Sequence, residues 1–417
     1  MVKLNLPRLP RRNAPPSVPA TYWLPVLFFL PLIVGIIAKF YRSKYIFSEY
    51  QSVACAGLKA LQNAPIYALD LQCPGMRAAS FVYIPGVAQV AAFFERFLTE
   101  PGFLALYLVF YLAAAATLIY IPLFARRTPG NWRDKLPFAV FLSSSAFMLG
   151  NIAVILHSIV LLGALAIEIS PWLFIAGVAV AAWVKPTFLT YLLVIFLLDM
   201  PLVRRIGLMA AGVCLGLLPL GHFILTGGAL TSQWYALLSH YVFDVTPGVG
   251  FFGWTSLIGL DPAHIGVKLA YLAFAGLITF SGLALAEGLQ LNRRERLWLG
   301  LSLAVLLIPR IMSEDICLIG PGLWILADKS AQLASHAQVV FRNGRGIVLA
   351  LCVVALAGAL TGLADYSEPV VLLGLSLYVL WLGQHMISTR LPYILSPFAV
   401  FFRPIRKSGP KSETTVN

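Results

Sequence analysis

"WLFIAGVAVAAWVKPTFLTYLLVIFLLDM", residues 172–200, is apolar on every side of a helix, yet Lys185 and Pro186 stand together at its middle. A helix that is hydrophobic all round is buried in a large core or in a bilayer, and a span takes roughly 20 such residues. Proline removes a helical hydrogen bond and restricts the residue before it, so this run is interrupted at "KP". Two more long apolar stretches carry interruptions, 136–167 at Gly150-Asn151 and 297–328 at "PRIMSED", 309–315. Uninterrupted stretches of span length are 22–40, 101–124, 205–225, 264–286, 345–363 and 370–388. With each interruption read as a reversal, the chain is an all-α polytopic membrane protein of about twelve transmembrane segments.

Composition agrees. Of 417 residues, 59% are hydrophobic and 11% charged, and the mean hydropathy is +0.85, whereas soluble domains carry roughly a quarter charged residues. The 30 Lys+Arg against 17 Asp+Glu would suit nucleic acid, but cytoplasmic loops rich in Lys and Arg are the commoner cause in a membrane protein. Their positions favour the second cause, so no nucleic-acid partner is expected. Starting inside and alternating places 21 of the 30 basic residues on the inside. Both termini are then cytoplasmic, and only the turn at Glu168–Pro171 lacks a positive charge. Residues 1–20 read as a retained basic tail rather than a signal peptide, and 391–417 as a second cytoplasmic tail.

The same topology puts Glu49, "GN", "KP" and "SED" on the outside, with the long loops 41–100 and 226–263. Broken membrane helices need their freed backbone groups satisfied by protein or by a water-filled cavity, so four such features on one face imply a polar cavity opening outward. Ionisable groups at membrane depth are costly and functional by default. Lys185 and Arg310 each read as a cation for phosphate or as a side chain snorkelling to the interface. Lys39, Arg42 and Lys44 read as contacts to anionic headgroups or to one particular lipid phosphate.

Glu49 opens "SEYQSVACAGLKALQN", residues 48–63, whose apolar positions Tyr50, Val53, Ala54, Leu58 and Leu61 recur at helical spacing. The helix dipole favours an acid there, with Ser48 as N-cap. The other reading is a carboxylate at the lipid–water boundary, its pKa raised by desolvation toward that of a general base. A second amphipathic stretch, 87–98, places Val87, Val90, Ala91, Phe94, Phe97 and Leu98 on one face. Two interfacial helices would form a platform, with the Tyr50–Leu61 stripe resting on the outer leaflet. Cys55 and Cys73 fall in this loop, where a disulfide is permitted. Pairing cannot be read from sequence, and small apolar filler residues are the favoured reading. His157, in an apolar stretch, reads as a hydrogen-bonded packing residue, and no metal-ligand spacing occurs.

The order of motifs, "EY" 49–50, "NAPIY" 63–67, "FVYIPG" 81–86, "LGNIAVIL" 149–156, "AGVAVAAWVKPTFLTYLLVIFLL" 176–198, "GWTSLIGL" 253–260 and "PRIMSEDICLIGPGL" 309–323, resembles glycosyltransferase family 87. These are GT-C-fold enzymes that use polyprenyl-phosphate sugars and include phosphatidylinositol-mannoside mannosyltransferases. The resemblance covers residues 20–330 and makes 21–330 the GT-C domain, with 331–390 as C-terminal membrane scaffold. It implies an inverting transfer, with mannose as the sugar the family suggests, on the extracytoplasmic face of a bacterial inner (plasma) membrane. The donor is a polyprenyl-phosphate-linked sugar and the acceptor a lipid or glycan, with membrane lipids as neighbours and no cofactor or metal. Where the family carries Asp, Glu49 is the catalytic base. Lys185, Arg310, Lys39, Arg42 and Lys44 would hold the donor phosphate. Tyr50, Tyr83, Gly150, Asn151, Trp254, Ser256, Glu314 and Asp315 would line the substrate site. A lipid-linked sugar flippase or transporter, or an O-antigen ligase or polymerase, is the rival; no inverted repeat is visible, and the special residues lie on one face.

Overall fold

A computed structural model describes residues 27–41, 46–76, 80–142, 144–333 and 344–395. Arg42 and Lys44, both terminal tails and most of the 331–343 connection lie outside the described residues. Everything described is helix, turn or loop, without a strand. Five helices are long and apolar enough to cross a membrane, namely Pro85–Phe124, Leu202–Thr226, Ile265–Gly288, Gly344–Thr361 and Ala364–Pro392. Each presents large apolar side chains outward, such as Phe110, Leu218, Leu272, Val353 and Leu377. Apolar surface of that extent belongs against lipid. The chain is a helical membrane protein.

The interrupted stretches form shorter helices. Ile152–Leu165, Pro171–Val184 and Arg293–Leu306 have 14 residues each and rise about 21 Å, against roughly 30 Å of hydrocarbon. Arg293–Leu306 packs inside the assembly, whereas Pro171–Val184 keeps an exposed face of Trp172, Leu173, Val180 and Trp183. Ile152–Leu165 lies against Pro171–Val184, which lies against Leu202–Thr226, while Arg293–Leu306 packs on Gly320–Leu333. Arg293–Leu306 is buried from Arg296 to Leu306 and starts at a capping box. The Asn292 side chain there accepts from the Arg294 and Glu295 amides, and the Glu295 carboxylate accepts from the Asn292 amide.

Between Leu30–Tyr41 and Pro85–Phe124, helix Ser48–Leu61 is present, but its apolar stripe does not rest on lipid. Tyr50, Val53, Ala54 and Gly57 are buried against the first half of Pro85–Phe124. The reason is the run of small residues on both surfaces: Gly57 sits where a Cβ would come within 2.8 Å of Ala91. Pro85–Phe124 bends at Thr99 (φ 60°), directly before Glu100 and Pro101. The predicted face of 87–98 is divided accordingly. Val87 and Ala91 turn inward, whereas Val90, Phe97 and Leu98 are exposed. Cys55 and Cys73 are disulfide-bonded, not independent fillers, and tie the helix to the loop that follows it.

Candidate active site

Three helix interruptions meet at the start of Ser48–Leu61, and each has a local cause. At "KP", Pro186 excludes its predecessor from helical geometry. Lys185 is extended (φ −133°, ψ 98°) and ends Pro171–Val184. Its ammonium reaches Asp315, with Nζ 2.7 Å from Oδ1 and 3.0 Å from Oδ2. Asp315, fully buried, also accepts from the Met312 amide at 3.0 Å and pairs with His157 Nε2 at 3.2 Å. An ionised carboxylate only accepts, so Nε2 of His157 carries the proton and Nδ1 accepts from the Tyr191 hydroxyl at 2.9 Å. The Lys185 charge and these hydrogen bonds hold the Asp315 carboxyl well below the usual carboxylate range, against its burial.

At "GN", Gly150 has φ +67°, and a Cβ on it would lie 2.4 Å from the Phe47 ring. Glycine is required there on both counts. The freed carbonyls of the preceding turn are all satisfied across the fold. Those of Ala146 and Phe147 accept from the Tyr111 hydroxyl at 2.8 and 3.2 Å. Those of Met148 and Leu149 accept from the Phe47 and Glu49 amides at 2.9 and 3.0 Å, and that of Gly150 from Tyr107 at 2.6 Å. The helix Ser48–Leu61 is thus capped by the carbonyls of another segment. Its N-cap residue is Phe47, with no side-chain cap, so Ser48 does not take the predicted role. Asn151 caps the next helix, its Oδ1 accepting from the Ala153 amide, and its Nδ2 donates to Glu314 Oε1, both at 2.8 Å.

At "PRIMSED", the segment 246–252 docks along the interrupted backbone. The amides of Val249 and Phe252 donate to the carbonyls of Ile311 and Pro309 at 2.8 and 3.2 Å. Gly248 (φ +79°) has no room for a Cβ beside the Ile311 carbonyl. Arg310 donates from Nε to the Thr246 carbonyl at 2.6 Å and from Nη2 to the Thr246 hydroxyl. It forms no direct ion pair among the described residues.

These contacts gather Glu49, Tyr83, Asn151, Lys185, Arg310, Glu314 and Asp315 into one cluster. Glu49 is half-buried. Burial pushes its carboxyl up, while the nearby Lys185 and Arg310 charges pull it down. The Tyr83 phenol is pushed well up by burial and by Glu49. Glu314, at 8% exposure, is raised to about 7 by burial and by its neighbour Asp315.

No family model, curated protein or solved structure matches this chain. The geometry therefore carries the functional argument.

Several expected residues stand elsewhere. Tyr50 is buried against Phe103 and Tyr107, where it packs the first-loop helix. Lys39 stands half-buried in the last turn of Leu30–Tyr41. Trp254 packs on Phe251 and Phe274 and Ser256 is exposed; their loop meets the cluster through Thr246, Val249 and Phe252. Other residues enter that sequence reasoning missed. His157 was legible as hydrogen-bonded but not as a support for Asp315. Tyr107 and Tyr111 are one helical turn apart, a spacing that signals a shared face. Glu368, in a helix read as scaffold, accepts from the Ser313 hydroxyl at 3.3 Å and so reaches the turn that carries Glu314. No trio of His, Cys, Asp and Glu side chains among the described residues is arranged to hold a metal ion.

Proposed function

We propose that the chain is an inverting glycosyltransferase that moves a sugar from a polyprenyl-phosphate donor to a lipid or glycan acceptor, with Glu49 as general base. The observation that carries this reading is the state of Glu49. It is a half-buried carboxylate at the mouth of a buried polar cluster, accepts no side-chain or backbone hydrogen bond among the described residues, and lies within electrostatic reach of Arg310 and Lys185. In the proposed step the acceptor oxygen attacks the anomeric carbon, its proton passes to Glu49, and the bond from that carbon to the phosphate oxygen breaks. The leaving phosphate carries the bonding pair away as an anion. Preorganised positive charge at such a developing anion is commonly the largest catalytic contribution. Arg310, with two of its donors committed to Thr246, presents the rest of its guanidinium for that role. Lys185 is engaged by Asp315 and shapes the site rather than meeting the phosphate alone.

In this reading the arrangement is of the GT-C type with about twelve crossings, several of them short. The cluster faces the extracytoplasmic side of a bacterial plasma membrane, and both termini are cytoplasmic. The test is purified protein with a panel of radiolabelled polyprenyl-phosphate sugars and a membrane acceptor extract. Transfer is expected from at least one donor and should largely disappear in Glu49→Gln. Full activity in that variant, or strict dependence on a nucleotide sugar, would sink the proposal. Arg310→Lys keeps the charge but loses the fork, and should lower kcat more than it raises the donor KM, by less than the roughly 10²- to 10³-fold that losing a donor outright costs.

A further inference from the structure

The fold treats the two carboxyl oxygens of Glu314 differently. Oε1 accepts from Asn151 Nδ2 at 2.8 Å, and the Asn151 amide cannot turn over because its Oδ1 is held by the Ala153 amide. Oε2 accepts no hydrogen bond from another described residue. The next residue, Asp315, has both oxygens occupied by Lys185, with His157 and the Met312 amide completing its shell. Two adjacent buried carboxyls do not both ionise without cost. Asp315 holds the cation and the donors, so a proton bound by the pair resides on Glu314, at Oε2. Arg310 and Lys185 also act on this turn, which makes it the place for an anion. An ionised Glu314 would repel that anion, whereas a neutral one donates to it.

We propose that Glu314 is kept as a neutral acid and that its Oε2–H donates a hydrogen bond to a phosphate oxygen of the bound donor, the proton remaining on Glu314. The identity of the anion rests on the glycosyltransferase reading; the protonation of Glu314 does not. The groups that face Glu314 divide by sign. Burial, Asp315 on its own turn and Glu49 from the first loop oppose its ionisation, while Lys185 from the "KP" interruption and the backbone amide of Glu314 itself favour it. Arg310 on the same turn is a second cation nearby. Tyr83, Tyr111 and Cys317 also interact with it, and burial keeps the Tyr83 phenol and the Cys317 thiol uncharged at neutral pH. Balance among these places the Glu314 transition at about 7.

Two measurements on the full-length protein in nanodiscs test this. Infrared difference spectroscopy should show a protonated-carboxyl band that vanishes as pH is raised through about 7 and is missing in Glu314→Gln. Binding of a short prenyl phosphodiester, whose single negative charge is constant over this range, should weaken about tenfold per pH unit above that transition in the wild type. In Glu314→Gln, a neutral donor at every pH, binding should be strong and pH-independent. An infrared band unchanged by the substitution overturns the proposal. So does a Gln variant that binds poorly at acidic pH or keeps the wild-type pH slope. If both signatures are found but no sugar is transferred from any donor, the transferase reading fails and the neutral acid stands. An active transferase with pH-independent phosphodiester binding overturns the neutral acid alone.

Discussion

Helix Arg293–Leu306 has a buried charge cluster at each end, about 21 Å apart by helical rise, and the two are built on opposite plans. At its first turn, Glu287 accepts from Arg296 at 2.7 and 2.8 Å and from Arg205 at 3.2 Å. The remaining guanidinium donors go to carbonyls at helix ends, those of Phe196, Leu197, Met200 and Leu291. Every formal charge there has a partner in contact, and cations at helix C-termini are favoured by the dipole. Beyond its last turn, three carboxyl groups face two cations. Among the described residues, Arg310 has no carboxylate in contact, the Glu49 carboxylate accepts no hydrogen bond, and one oxygen of Glu314 accepts from no other residue. A saturated cluster pins helices together. An unsaturated one, held open by the backbone of three interruptions, has capacity left for a ligand.

The largest expected effect comes from the unsaturated end. Glu49→Gln should lower transfer by about 10²- to 10⁴-fold, the usual contribution of a general base, with an unchanged melting profile; a loss that only follows loss of folded protein would erase the contrast. Next, removing one partner of a buried ion pair costs about 3–5 kcal/mol. Arg296→Met should destabilise the protein by that amount while leaving the activity per folded molecule intact. Asp315→Asn should reduce both, because it also releases Lys185, so thermal unfolding and specific activity measured together separate the two ends.

The pH dependence sharpens the comparison further. The Glu314 carboxyl is raised from 4.5 to about 7 in the folded protein. Its contribution to stability is complete below pH 4.5 and is lost as pH rises through about 7, at most about 3 kcal/mol. Glu314→Gln should therefore melt above the wild type at pH 8 and level with it at acidic pH, where equal midpoints at both pH values would contradict the assignment. A similar or smaller effect belongs to the first loop. Cys55→Ser opens a cross-link of sequence separation 18, which on chain entropy alone is worth about 3 kcal/mol. Protease sensitivity of the first loop should rise before the Arg205–Glu287–Arg296 end changes.

Local rules made much of this readable. Apolar runs of span length located the five long helices, while the run 22–40 holds, among the described residues, only the 12-residue helix Leu30–Tyr41. Pro186, Pro309 and the Gly150-Asn151 pair marked where helices end, since the physics of proline and of positive φ acts within one turn. The amphipathic period of 48–61 was correct for helix and misleading for its partner, because an apolar stripe is equally served by lipid or by Ala91 and its neighbours. Small residues at Ala54 and Gly57 were the available signal for the close protein contact. Unpaired cysteines are the favoured reading of the sequence, and the disulfide overturns it for the same reason: two cysteines in one loop specify no distance.

From sequence alone came a helical membrane protein, the positions of its breaks, and the charged residues stationed at them, all consequences of hydropathy and backbone sterics over short stretches. Tertiary structure alone decided the pairings, Lys185 with Asp315 across 130 residues and Asn151 with Glu314 across 163. Those pairings divide similar residues into different roles, Asp315 locked and Glu314 protonated, Lys185 engaged and Arg310 available. Such roles depend on which side chains meet where helices cross, and no local period encodes that.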